Sequence, residues 1–133
     1  MSESPKQRVG RIGEDLADVF LVRNGYRIIE RNYRNRLGEI DIVAEKEGII
    51  HFVEVKTVSR ETLPDGSFQI NDFEPEDNVH FKKRKRFKRA IEMYLDDRNV
   101  TCETWYQADV IAVYIDNLGV RSKIEMLEDI DFT

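Results

Sequence analysis

The chain has 133 residues, 21 basic and 26 acidic side chains and a net charge of −5 at neutral pH, with 41% hydrophobic residues. A chain of roughly 130 residues with that apolar content removes about two-thirds of its unfolded surface from water, which excludes wholesale disorder. The acidic balance argues against a protein that coats nucleic acid over its whole surface, but it leaves a local basic patch open.

A single cysteine, Cys102, rules out an internal disulfide. The sequence shows no charged-then-apolar leader and no apolar run long enough to cross a bilayer, so the expectation is a cytoplasmic protein with no membrane partner, folded as one domain over residues 1–133.

In chain order, Val9, Ile12, Leu16, Val19 and Phe20 recur at helical spacing, with Gly13 and Ala17 allowing close approach on the same side, and Asn24-Gly25 supplies a stop. This predicts an amphipathic helix over about 9–24. Tyr26, Ile28 and Ile29 then open a short strand that ends in the polar, basic stretch Glu30 to Arg36. Two β-rich runs follow, 39–45 and 49–57, joined by Lys46-Glu47-Gly48, and read as an antiparallel hairpin. With Glu47-Gly48 as the turn, Lys46 faces Ile49, Glu45 faces Ile50, Val43 faces Phe52 and Asp41 faces Glu54. The strand period puts Asp41 on the face of Val43, and Glu54 on that of Phe52 and Lys56.

Residues from about 60 to 78 form a long acidic loop, either a flap over a groove or surface decoration. A second helix is predicted over about 79–98, where Phe87, Ala90, Ile91, Tyr94 and Leu95 form an apolar stripe. Lys82 to Arg89 holds seven basic residues in eight positions. Extending the stripe back by one turn turns Lys83 toward the sheet. Strands over about 105–115 and 120–127, with Asn117-Leu118-Gly119 as the turn between them, complete an α/β (α+β) order of helix, three strands, helix, two strands.

Asp41 opposite Glu54 is costly as mere structure. Two ionised carboxylates about 4 Å apart repel by roughly 4 kcal/mol at an effective dielectric near 20. A shared proton, a nearby cation such as Lys56, or a divalent metal would compensate. Magnesium takes one or two carboxylates plus waters and phosphate oxygens, and Lys56 on the same face could position or help deprotonate an attacking water. The pattern points to metal-assisted phosphodiester hydrolysis. The same Glu-x-Lys on a solvated strand face would carry no chemistry, but here it interrupts an apolar strand, where charges are expensive.

Gly38-Glu39-Ile40-Asp41-Ile42-Val43 followed by Phe52-Val53-Glu54-Val55-Lys56 resembles the PD-(D/E)xK nuclease signature, and in detail the YraN-like family of predicted endonucleases, related to archaeal Holliday-junction resolvases. Gly13-Glu14-x-x-Ala17, Gly25-Tyr26, Arg31-Asn32, Lys83, Ala90, Tyr94-Leu95 and Asp109-Val110-Ile111 extend the likeness over most of the chain. It implies a restriction-endonuclease-like core in which Asp41, Glu54 and the Val55 carbonyl bind magnesium or manganese, Lys56 serves the water and Glu14 completes the metal shell. It also implies a DNA substrate, with action in repair or recombination, and by analogy with resolvases a homodimer. Two features depart from the family pattern: the acidic loop is long, and Ile40 rather than proline precedes the first acid.

Around this centre, Glu39 shares the strand face of Asp41 and is either a supporting contact or an edge charge. Asp109 is either a buried hydrogen-bonding residue at the active end of the sheet or a strand start. Lys82, Lys83, Lys85 and Arg86 are candidate phosphate contacts. Arg31, Tyr33, Arg34 and Arg36 form a second basic-aromatic site that could touch a backbone or stack on an unpaired base. His51 is expected on the face opposite Phe52, His80 in a loop or helix start, and neither makes a zinc set. No phosphate-cradling glycine loop or serine nucleophile motif is present. A nucleic-acid-binding domain without catalysis, using the basic helix alone, is the competing reading.

Overall fold

The computed structural model describes residues 3–60, 81–116 and 121–131; the side chains of 60 and 81–84 lie outside that description. The order is α1 (Pro5–Arg23), β1 (Arg27–Asn35), β2 (Gly38–Lys46), β3 (Ile49–Arg60), α2 (Phe81–Asp97), β4 (Trp105–Asp116) and β5 (Ser122–Leu127). The strands form one sheet in the order β1-β2-β3-β4-β5. Neighbours are antiparallel except β3 and β4, which run parallel from Ile49–Trp105 to Arg60–Asp116. Parallel strands need a crossover, and α2 lies between them in the chain. This mixed α+β architecture, αβββαββ, is that of a restriction-endonuclease-like core. β3 takes in Arg60, expected as the start of the acidic loop; the rest of that loop, 61–78, and the Asn117-Leu118-Gly119 turn lie outside the described residues.

Helix α1 begins four residues before its first apolar position. Ser4 accepts from the Gln7 backbone, Gln7 reaches back to the Ser4 N–H, and Pro5 sits where a helix tolerates it. The buried spine of α1 is Gly13, Ala17 and Leu21, flanked by part-buried Val9, Ile12, Leu16 and Phe20. Val19, expected on that face, is exposed.

Each sheet face carries its own core. On one side α1 covers Ile42, Ala44, Val53, Ile111 and Val113; on the other, Phe87, Ala90, Ile91 and Tyr94 of α2 cover Ile40, Val43, Phe52 and Val110. β4 is apolar and buried from Val110 to Ile115 because both of its faces are roofed, so it reads as a continuous run rather than an alternation.

β1 is longer than its apolar start suggests. The polar stretch from Glu30 to Asn35 stays in the sheet, paired with β2 from Arg27–Glu45 to Asn35–Gly38. Its hairpin is closed by Asn35, whose Oδ1 accepts from the Leu37 and Gly38 backbones. Within it Asn32 is left-handed, with φ 54, and the pairing passes from Arg31–Ile42 to Tyr33–Ile40 around it. Side chains change sides there. Arg31 faces α1, where Ile42 is buried, whereas Tyr33 and Ile40 belong to the α2 core.

Candidate active site

The β2–β3 hairpin has the expected register. Glu47 and Gly48, at φ 53 and 79, make the turn, and Lys46–Ile49, Glu45–Ile50 and Val43–Phe52 are partners. The ladder is paired as far as Ile42–Val53. Asp41 does not continue it as a cross-strand partner of Glu54. Its Oδ2 instead accepts the Val55 backbone N–H at 2.7 Å. Asp41 sits at the point where β2 switches faces, so the expected common face with Val43 gives way to a position between the two layers. Such local distortions re-aim side chains and recur beside functional sites.

Three acids surround this point. Asp41 is part-buried and its carboxyl is pushed up to about 7, first by burial and then by Glu14, Glu54 and Glu39, against the Val55 hydrogen bond that lowers it. Glu54 is 3% exposed on β3. Glu14 reaches the cluster from α1, and burial raises its carboxyl, with Arg31 opposing. The helix can come that close because Gly13 has no side chain: a Cβ there would stand 1.7 Å from Thr57 Oγ1. Lys56, between Val55 and Thr57, is half-buried, two residues past Glu54 on the same strand face.

Among the described residues no three His, Cys, Asp or Glu side chains are arranged as a group able to hold a metal ion by themselves. What exists is a partly desolvated carboxylate cluster with the Val55 backbone N–H bonded to one of its members.

The other candidates separate. Arg34 and Arg36 are exposed on the β1–β2 hairpin, and Arg34 pairs with exposed Glu39 at 3.0 Å. Lys85 and Arg86 are exposed on α2, as are Lys88 and Arg89. This basic end of α2 is seated against the hairpin: a Cβ on Gly38 would lie 2.8 Å from the Arg86 carbonyl oxygen, so three residues from Asp41 the two backbones nearly touch. The side chains of Lys82 and Lys83, including the expected turn of Lys83 toward the sheet, and all of His80 lie outside the described residues.

Two assignments change and a third narrows. Arg31 is not offered to a nucleic acid: its guanidinium lies between Asp15 at 3.0 Å and Asp18 at 3.4 Å on α1. Tyr33 is 4% exposed, packs edge-on against Tyr94 and donates to Asp97 at 3.1 Å, so its ring has no free face for a base. Asp109 is the buried hydrogen-bonding residue that one of the two expectations described, but its partners are not the acids. Fully buried, it binds His51 Nδ1 at 2.6 Å, Gln107 at 2.8 Å and the Asp129 backbone N–H at 2.9 Å, fastening the C-terminal segment to β4. His51 lies opposite Phe52's face, edge-on to Tyr26 in the α1 core. Neither the partnership of His51 with Asp109 nor the identity of Thr57 as the seat of Gly13 is legible in the sequence pattern. Two signals were present: Asp109 inside an apolar run, and a histidine in an apolar strand.

The profile of the uncharacterised protein family UPF0102 matches residues 13–113, the span from the α1 seat through most of β4. The chain belongs to that family. Similar UPF0102 proteins come from Caldicellulosiruptor bescii, 38% identical over 92% of this chain and 96% of its own length, and from Moorella thermoacetica, 38% identical over 92% and 94%. One from Alkaliphilus oremlandii is 40% identical over 92% of this chain and 97% of its own. UPF0102 membership agrees with the YraN-like resemblance, and the matched span contains Glu14, Asp41, Glu54 and Lys56.

Proposed function

We propose that this UPF0102 chain is a metal-dependent deoxyribonuclease that hydrolyses DNA phosphodiesters. The observation that carries the reading is the gathering of acids: Asp41, held by the Val55 N–H at 2.7 Å, lies near Glu14 and buried Glu54, and burial together with these two pushes its carboxyl up to about 7. Packing like charges in a dry place costs free energy that a cation would offset. The donor set fits magnesium or manganese, which take one or two carboxylates and leave the remaining positions to water and phosphate oxygens. Asp41, Glu54 and the Val55 carbonyl would hold the ion, with Glu14 behind them. Bound there, it would supply Lewis-acid polarisation of the scissile phosphate.

The chain's own groups do the rest. The Val55 N–H fixes the Asp41 carboxylate. Lys56, two residues past Glu54 on the same strand face, would orient the attacking water through its Nζ. The exposed cations of α2 and the β1–β2 hairpin bind the DNA backbone. Basic residues crowd the first turns of α2, where the helix dipole is already positive, and an anion would relieve both costs.

The test is cleavage of single-stranded, duplex, flapped and branched DNA with magnesium or manganese, with chelator, and with Asp41→Ala and Lys56→Ala. Cutting that needs the metal and both side chains supports the proposal; cutting that survives chelator and both substitutions overturns it. The exposed Lys85, Arg86, Lys88 and Arg89 also favour a second reading, a nucleic-acid-binding domain without catalysis. Salt-dependent binding with no cutting of any substrate would select it.

A further inference from the structure

The two edges of the sheet differ. β1 is interrupted by a register shift between Ile28 and Glu30 and by left-handed Asn32, features that spoil an edge for pairing. β5 pairs regularly with β4 along its whole length, Ile115–Ser122 to Val110–Leu127, and β4 is its only neighbour in the sheet order among the described residues. Its sequence, Ser122-Lys123-Ile124-Glu125-Met126-Leu127, carries opposite charges on either side of Ile124 and is therefore self-complementary about that residue.

We propose that β5 pairs antiparallel with β5 of a second copy of this chain, about a two-fold axis at Ile124. In that register Lys123 of each copy stands opposite Glu125 of the other, on the same sheet face, and Ile124 stands opposite Ile124. The faces agree with the packing already present. Ile124 and Met126 lie on the α1 core, so the two isoleucines extend that apolar layer, while Leu127 lies on the α2 core and puts Lys123 and Glu125 on its side. Lys123 and Glu125 now contact each other along the strand at 3.5 Å, at 49% and 41% exposure. So exposed a pair gives up little when it exchanges partners across the axis. A two-fold joint uses one patch twice, which a self-complementary strand satisfies and an arbitrary one does not. Six residues bury less than the roughly 1,000 Å² of a stable interface, so the dimer is weak and depends on concentration.

The experiment is sedimentation velocity of the full chain over a roughly hundredfold concentration range, with Lys123→Glu, Glu125→Lys and the double exchange. The wild type should dimerise as concentration rises. Each single substitution puts like charges opposite at both pairs and should weaken association about tenfold or more. The double exchange should restore it, as should an equimolar mixture of the two single variants, whose edges are complementary. A wild type that stays monomeric throughout, as it would if the edge served a strand of another protein, overturns the inference. So do single variants that associate like the wild type, or a double exchange and mixture that fail to recover. Loss of DNA cleavage would leave this inference standing, because none of its observations depend on the acid cluster.

Discussion

Asp41 must ionise beside Glu54 and Glu14 in a place largely closed to water, and its carboxyl is raised from 3.8 to about 7. Because its folded-state value lies above the unfolded one, the stability linked to Asp41 is whole below about pH 4 and is lost as pH rises through about 7. Metal-free protein should therefore lose more stability between pH 5 and 7.5 than Asp41→Asn does. With the side chain part-exposed, the difference is about 1–2 kcal/mol, measured by denaturant unfolding in chelator. By the same linkage, manganese affinity should rise with pH toward 7, since the ion competes with that proton. Asp109 gives the contrast. Asp109→Ala should cost about 3 kcal/mol of stability, because it strands buried His51 and frees the Asp129 backbone, yet leave manganese affinity unchanged. An equal loss of metal affinity would return Asp109 to the site.

Two close backbone approaches join helices to the site. Gly13→Ala drives a methyl into Thr57 and should cost about 1–3 kcal/mol in unfolding measurements, with manganese affinity falling as Glu14 is lifted away. Substituting Lys85, Arg86, Lys88 and Arg89 together with alanine should flatten the salt dependence of DNA binding, whereas Arg31→Ala should lower thermal stability and leave that slope alone, because Asp15 and Asp18 already neutralise Arg31. The stripe from Phe87 to Leu95 was legible because a helix must bury one face, and the α2 core uses it. β1 was not. Its polar half stays in the sheet through backbone pairing with β2 and the carboxylates of α1, and neither leaves a hydrophobic period to read. The start of α1 was legible in principle, in Ser4-Pro5-x-Gln7, but lies ahead of the apolar repeat that marks the helix.

Across the whole molecule, the element order and hairpin register could be read from the sequence because each strand's pattern is short-range and the Glu47-Gly48 turn fixes the count. That register carries the pairing as far as Ile42–Val53; beyond it Asp41 leaves the ladder and is held by the Val55 N–H, which the count did not foresee. What lay beyond it depends on the third dimension: the left-handed Asn32 that sends Tyr33 under α2, the change of side around Asp41, and the pairing of His51 with Asp109, 58 positions apart. All of this architecture should bring the Asp41 and Glu54 carboxylates and the Val55 carbonyl together for one ion. The most direct measurement is a manganese-soaked crystal examined by anomalous scattering. A peak within about 2.0–2.4 Å of both the Asp41 and Glu54 carboxylates, absent from Asp41→Ala crystals, is the expected result. At saturating manganese, no density there, or a peak held by other side chains, would contradict it.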